Sequence, residues 1–221
     1  MAKRNLLLIQ PHSDDILFSA SKYLFNRGDY NKVTLFTVEG GDEKRVAEDM
    51  ELCDLFGIDE YINSKVQFTD NSYYTFYKEL GFKKFNIEDS MRTLDHRFGG
   101  KFMAELGRDI MKTVKKYKKN NYEVVVCLGI GHPMHWFVRF TTEKLADVFY
   151  RDFPHSYKMK AKGSLEEFIQ GLKEPELYFD KEEHKLKFET AYQVYKTQRS
   201  LLFFEKGYID KKLPEEFYTR K

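Results

Sequence analysis

Apolar positions along this chain fall either into short continuous runs or into helical spacing, and each change of pattern marks a new element. NLLLIQ (residues 5–10) is a short apolar run closed by Pro11, and beyond it Ile16, Leu17, Ala20, Tyr23 and Leu24 recur at helical spacing. The pattern predicts a strand, a turn and a helix, with Ser13, Asp14 or Asp15 as the N-cap and Gly28 as the stop. KVTLFTV (residues 32–38) predicts a second strand, Glu39, Gly40 and Gly41 a turn, and residues 42–56 a helix that stops at Gly57. A third strand is expected over residues 60–68.

Residues 69–100 are aromatic and polar without a clear period and read as a long irregular excursion. Helical spacing returns over residues 101–119 through Phe102, Leu106, Ile110 and Val114. YEVVVCL (residues 122–128) is a nearly continuous apolar run, as in a strand covered on both faces of a parallel sheet. Residues 129–135 then read as a turn and residues 137–150 as the next helix. The rest is less regular until a final helix near residues 181–204. This alternation argues for an α/β, Rossmann-like doubly wound, mostly parallel sheet with helices on both faces. A length of 221 residues suits a single domain, 1–221, with the excursion at about 69–100 and a C-terminal extension at about 151–221.

Composition narrows the partners. Hydrophobic residues are 42% and charged residues 33%, which fits a soluble globular protein. A formal net charge of +2, from 37 basic and 35 acidic residues, provides no field to gather nucleic acid or an anionic membrane. The densest basic stretch, KTVKKYKK (residues 112–119), ends a predicted helix, where cations offset the negative end of the dipole. Cys53 and Cys127 lie within apolar segments and read as buried free thiols. The start, MAKRNLLLIQPHSDD, has only four consecutive apolar residues, too few for a leader or a membrane span, so a cytoplasmic location is expected.

PHSDD (residues 11–15) follows the first strand and GHPMH (residues 131–135) follows the strand that opens the second half. In a doubly wound sheet the connections diverge between those two strands and leave a crevice at their carboxyl ends. His12, Asp14, Asp15, His132 and His135 are thereby brought together. Two imidazoles and one carboxylate can hold zinc with a coordination position left for water, and a second carboxylate can serve as general base. The plainer alternative is that the aspartates only cap a helix and the histidines only satisfy turns.

These motifs also carry a resemblance. PHSDD resembles the PHPDD signature of the PIG-L and LmbE-like deacetylases, and GHPMH resembles their HPDH signature. RVAEDMELCDLFG (residues 45–57) is similar to the family helix with Arg and Glu three apart and a closing glycine, and YKTQ (residues 195–198) is similar to its C-terminal YKSQ. The resemblance implies His12, Asp15 and His135 as ligands of Zn2+ or another divalent metal such as Fe2+. It further implies Asp14 as general base, His132 as stabiliser of the oxyanion, and Arg45 at the substrate. Its implied substrate is a small N-acetylated amino sugar or glycoconjugate, and homo-oligomers are compatible with it. Ile16 stands where an acid commonly follows DD, and Met134 stands where an aspartate commonly separates the two histidines. The usual sugar-contacting sequence is replaced by TDNSYYTF (residues 69–76), in which Asp70 is the candidate substrate contact.

Of the other histidines, His96 could approach the site from the excursion in place of the missing aspartate, with a loop position away from the site as the favoured alternative, whereas His155 and His184 fall in surface-like contexts. Tyr73, Tyr74 and Tyr77 read as packing residues. Two rival readings share these residues: a metal-dependent hydrolase of another bond, and a catalytically inactive sugar- or metal-binding homologue. Amine release under assay separates both from a deacetylase.

Overall fold

The computed structural model describes residues 3–39, 43–66, 101–154, 164–199 and 213–221. Strand β1 (Arg4–His12) lies inside a seven-stranded sheet, third from one edge. The others are β2 (Tyr30–Glu39), β3 (Glu60–Asn63), β4 (Tyr122–Cys127), β5 (Val148–Tyr150), β6 (Glu176–Tyr178) and β7 (Glu215–Thr219), in the spatial order β3-β2-β1-β4-β5-β7-β6. The pairings from β3 across to β5 are parallel, and β7 and β6 extend the sheet antiparallel. Leu6, Leu7, Leu8 and Ile9 of β1 are fully buried, as an apolar strand with neighbours on both sides and helices over both faces must be.

Helix α1 (Asp15–Ser19) and α2 (Ser21–Phe25) follow β1, and α3 (Glu43–Phe56) joins β2 to β3. Helices α4 (Lys101–Lys119) and α5 (Pro133–Thr142) flank β4, α6 (Ser164–Gln170) precedes β6, and α7 (Lys181–Val194) follows it. Helices α4 and α5 pack on each other and on β4, while α7 packs on α1, α2 and α3. The sequence winds outward from β1 to β3 and then returns to β4 on the other side of β1. With right-handed crossovers, that reversal puts the two helix groups on opposite faces.

Several expected boundaries move. The helix after β1 is broken at Ala20, whose φ of −146° is not helical, and the segment at Gly28 is a single 3-10 turn. The helix expected over residues 137–150 ends at Thr142, and residues 148–150 are a buried strand. A short run such as VFY is compatible with either state, and here the open edge of β4 decides it. The final helix ends at Val194, before a 3-10 turn at Lys196–Gln198. The irregular excursion lies outside the described residues, as do Asp70, Tyr73, Tyr74, Tyr77, His96 and His155. No helix among the described residues is long and apolar enough to cross a membrane.

Candidate metal centre

The carboxyl ends of β1 and β4 diverge into the two predicted motifs. His12 is the last residue of β1, Asp15 opens α1, and His135 sits in the first turn of α5. The last placement corrects the expected turn over residues 129–135: His132 is the N-cap of α5, and Pro133 begins the helix. Gly129 and Gly131, with φ of +85° and +86°, take the chain from β4 into that helix. A Cβ on Gly129 would lie 3.0 Å from the Trp136 Cα and 3.2 Å from the His135 carbonyl oxygen, so the glycine lets α5 approach.

Three donor atoms form a triangle. His12 Nδ1 is 3.0 Å from His135 Nε2 and 3.2 Å from Asp15 Oδ2, and His135 Nε2 is 3.3 Å from Asp15 Oδ2. A tetrahedral ion with bonds of about 2.0–2.1 Å requires ligand atoms about 3.3 Å apart, so the triangle fits a divalent ion. The ring of His132 stands beside it, 4.5 Å from that of His12 and 5.4 Å from that of His135 between centroids. Cys127, His135 and Asp152 form a second group of metal-binding residue types, but they do not form a second centre. The 2.6 Å between His135 Nδ1 and Asp152 Oδ1 is a hydrogen bond with no room for an ion, and the Cys127 thiol donates to the His135 carbonyl.

The turn that carries Asp14 is held from every side. Gln10 accepts from the Ile16 amide, Ser13 donates to Asp49, the His12 amide donates to Asp15, and Gln198 donates to the Ser13 carbonyl. Under these constraints Asp14 adopts φ 92° and ψ −26°, a conformation that costs a non-glycine residue about 1–3 kcal/mol. Asp14 occupies the N-cap position of α1, yet its side chain makes no cap hydrogen bond. The expected capping role is therefore absent, and the carboxylate is left for the site.

Charge at the centre follows from these contacts. Burial disfavours a charged His12, but Asp15 and Glu39 outweigh it and lift the metal-free imidazole to about 10. Burial likewise opposes ionisation of Asp15, but His135 and His12 hold it at about 2. Asp14 moves the other way: burial and the adjacent Asp15 carboxylate raise it well above the usual range, against the pull of Arg45 and His12. A carboxylate made more basic beside a metal position is a suitable proton acceptor. Arg45 is close enough to act on Asp14 electrostatically.

His132 has no neighbouring aspartate in sequence, but it is oriented. Its Nδ1 accepts from the Met134 amide at 3.3 Å, which leaves Nε2 as the donor of a neutral ring. The helix N-terminus thus orients the ring as a carboxylate would, but from the donor side, and it does not raise the ring's proton affinity.

Sequence reasoning missed three contributors, Glu39, Asp152 and Asp49, and gave Glu48, the motif glutamate three residues after Arg45, no role. Glu39, expected in a turn, ends β2 in register with His12 and places Oε2 3.2 Å from His12 Nε2. Asp152, just past β5, reaches His135 from behind. Asp49 is fully buried and accepts from Gln10, Ser13, Thr37, Tyr61 and Tyr195. Glu48 accepts from the amide and hydroxyl of Thr197, so YKTQ is a strut between α3 and the Asp14 turn. A signal existed for the first two, since both are acids at the carboxyl end of a strand. His184 is also corrected: it is buried against Phe179 and Phe188. Cys53 and Cys127 are buried free thiols, as expected.

No protein-family model matches the chain, and no curated protein is significantly similar to it. Solved structures are similar. The A40926 pseudoaglycone deacetylase superposes with a TM-score of 0.63 at 21% identity, over 99% of this chain and 96% of its own. This chain shares the LmbE-like α/β fold of that enzyme. A zinc-inhibited form of teicoplanin deacetylase matches at 0.63 and 20% identity over 97% of each chain. The N,N'-diacetylchitobiose deacetylase from Pyrococcus horikoshii matches at 0.55 and 13% identity, over 99% of this chain and 84% of its own. The LmbE-like fold places β1 and β4 at its switch point, where the donor triangle lies.

Proposed function

We propose that this chain is a metal-dependent N-deacetylase that hydrolyses the acetamide of a small amino sugar or glycoconjugate. The observation that carries the reading is the triangle of His12 Nδ1, Asp15 Oδ2 and His135 Nε2, with the basic Asp14 carboxylate beside it. His12, Asp15 and His135 would hold a divalent ion, Zn2+ by the donor set, and the chemistry it would supply is polarisation of the acyl carbonyl and a lower proton affinity of water. Asp14 accepts the proton of the attacking water and returns it to the leaving nitrogen as the C–N bond breaks. His132 Nε2 donates to the oxygen on which negative charge develops. Arg45 and Asp70 contact the substrate. The products are the carboxylate and the free amine.

The amino-sugar substrate draws support from the diacetylchitobiose enzyme with which the fold is shared. The decisive experiment assays amine release from N-acetylglucosamine and diacetylchitobiose by chelated protein and by protein restored with Zn2+, Fe2+, Co2+ or Mn2+. Excess zinc is included as a separate arm because a similar deacetylase has a zinc-inhibited form. Release lost on chelation and restored by one equivalent of metal is expected. Release that ignores chelation, or hydrolysis of phosphate or ester substrates with no amine released, overturns the reading.

A further inference from the structure

Behind the two histidines of the triangle stand two carboxylates with which the deacetylase reading does nothing. Asp152 is fully buried, and its two oxygens have different donors. Oδ1 lies 2.6 Å from His135 Nδ1, and Oδ2 accepts from the Ile130 amide at 3.0 Å. A backbone amide can only donate, so Oδ2 is committed to Ile130 and the whole side chain is fixed. Oδ1 then faces the ring with lone pairs alone, and the proton of the neutral imidazole must sit on Nδ1. Its lone pair is thereby left on Nε2, the atom in the triangle.

We propose that Asp152 is a positioning residue that fixes His135 in its metal-binding tautomer and so sets the affinity of the centre for a divalent ion, with Glu39 a weaker counterpart behind His12. The proposal rests on the metal-site reading above. Each acid comes from the end of the strand beside the one that leads to its ligand: Glu39 pairs in register with His12, and β5, which Asp152 follows, pairs with β4, which leads into the helix of His135. The two contacts differ in strength. Asp152 approaches to 2.6 Å with its second oxygen anchored, whereas Glu39 Oε2 is 3.2 Å from His12 Nε2 and poorly aligned for a hydrogen bond.

This asymmetry makes the amide substitutions unequal. In Asp152→Asn one oxygen must serve two donors. If it stays with Ile130, the new NH2 faces Nδ1, which must then accept, and the ring proton moves to Nε2 between His12 and Asp15. The opposite flip sets two N–H groups against each other at the buried Ile130 amide. Glu39→Gln needs only one acceptor oxygen toward His12 and can keep it.

The test reads the tautomer directly. In metal-free protein labelled with 15N-histidine, the His135 ring is assigned by its loss in His135→Ala and measured at a pH where its nitrogen shifts no longer move. A proton on Nδ1 is expected, and a proton on Nε2 in the unmutated protein overturns the proposal whether or not any variant folds. Zinc affinity, measured by competition with a chromophoric chelator, is expected to fall roughly 10–100-fold in Asp152→Asn, the usual scale for losing such a partner, and by less than about 10-fold in Glu39→Gln. If the unmutated protein and Asp152→Asn bind zinc equally, the proposal fails while the metal site stands. If the unmutated protein binds no zinc, the metal-site reading fails and the affinity role of Asp152 fails with it.

Discussion

Replacing Asp49 by asparagine tests whether the polar strut beneath the Asp14 turn is held at an electrostatic cost. The Asp49 carboxylate is fully buried at the junction of β1, β2, α3 and the Tyr195 segment. Its Oδ2 receives Thr37 at 2.8 Å, Ser13 at 3.0 Å, Gln10 at 3.1 Å and Tyr61 at 3.2 Å, while Oδ1 receives Tyr195 at 3.2 Å. Burial outweighs these donors and raises the group from 3.8 to about 6. Because the folded pKa exceeds the unfolded one, the folded state binds the proton more tightly. The resulting stabilisation is present in full below about pH 4 and is lost as pH rises through about 6. A shift of this size corresponds to about 3 kcal/mol in full, of which roughly 1 kcal/mol is lost between pH 5 and pH 7 and roughly 2 between pH 4 and pH 7.

Asparagine carries no such titration. Its oxygen can occupy the four-donor side, and its NH2 can face the Tyr195 hydroxyl, which is able to accept. The variant should therefore gain stability relative to the parent as pH rises, by about 1 kcal/mol from pH 5 to pH 7. Urea unfolding of both metal-free proteins across that range measures the difference, and groups that titrate alike in the two cancel. Parallel stability profiles would refute the reasoning, because they would mean that the Asp49 charge is not costly in the fold.

Asp14→Asn is expected to bind metal as the parent does while losing at least about 100-fold in turnover, whereas His135→Ala loses the metal as well; metal analysis beside the amine-release assay distinguishes them. Gly129→Ala forces a Cβ into the His135 turn at a positive φ and should cost about 2–4 kcal/mol by urea unfolding, with weaker metal binding because His135 moves. Lys187 is buried 3.0 Å from Glu215, so Lys187→Ala, which removes the counter-charge and leaves the carboxylate only its Ser21 and Lys22 amide and hydroxyl donors, should cost about 2–4 kcal/mol, while Lys187→Met combined with Glu215→Gln costs less.

What the sequence determined by itself was local. The strand cores follow from short apolar runs and the long helix at Lys101–Lys119 from apolar residues three to four apart, and their alternation gives the parallel order, none of which needs knowledge of neighbours. The chemistry was legible for the same reason: His12 with Asp15, and His132 with His135, are each spaced by three residues at the end of a strand, and topology brings two such ends together. The tertiary structure decided whatever depends on which strand lies beside which. VFY becomes β5 only because β4 offers an open edge, and β6 and β7, at three and five residues, are too short to carry a period. Glu39 and Asp152 read as a turn residue and an irregular one until their strands pair beside β1 and β4 and aim them at His12 and His135. Asp49 carries no signal in the sequence, and Glu48 is a motif residue without a role, until Tyr195 and Thr197, about 146 residues further on, close over them. Ligands can be written into a short motif because they share a turn; the groups that orient those ligands come from other strands, and only folding puts them behind the site.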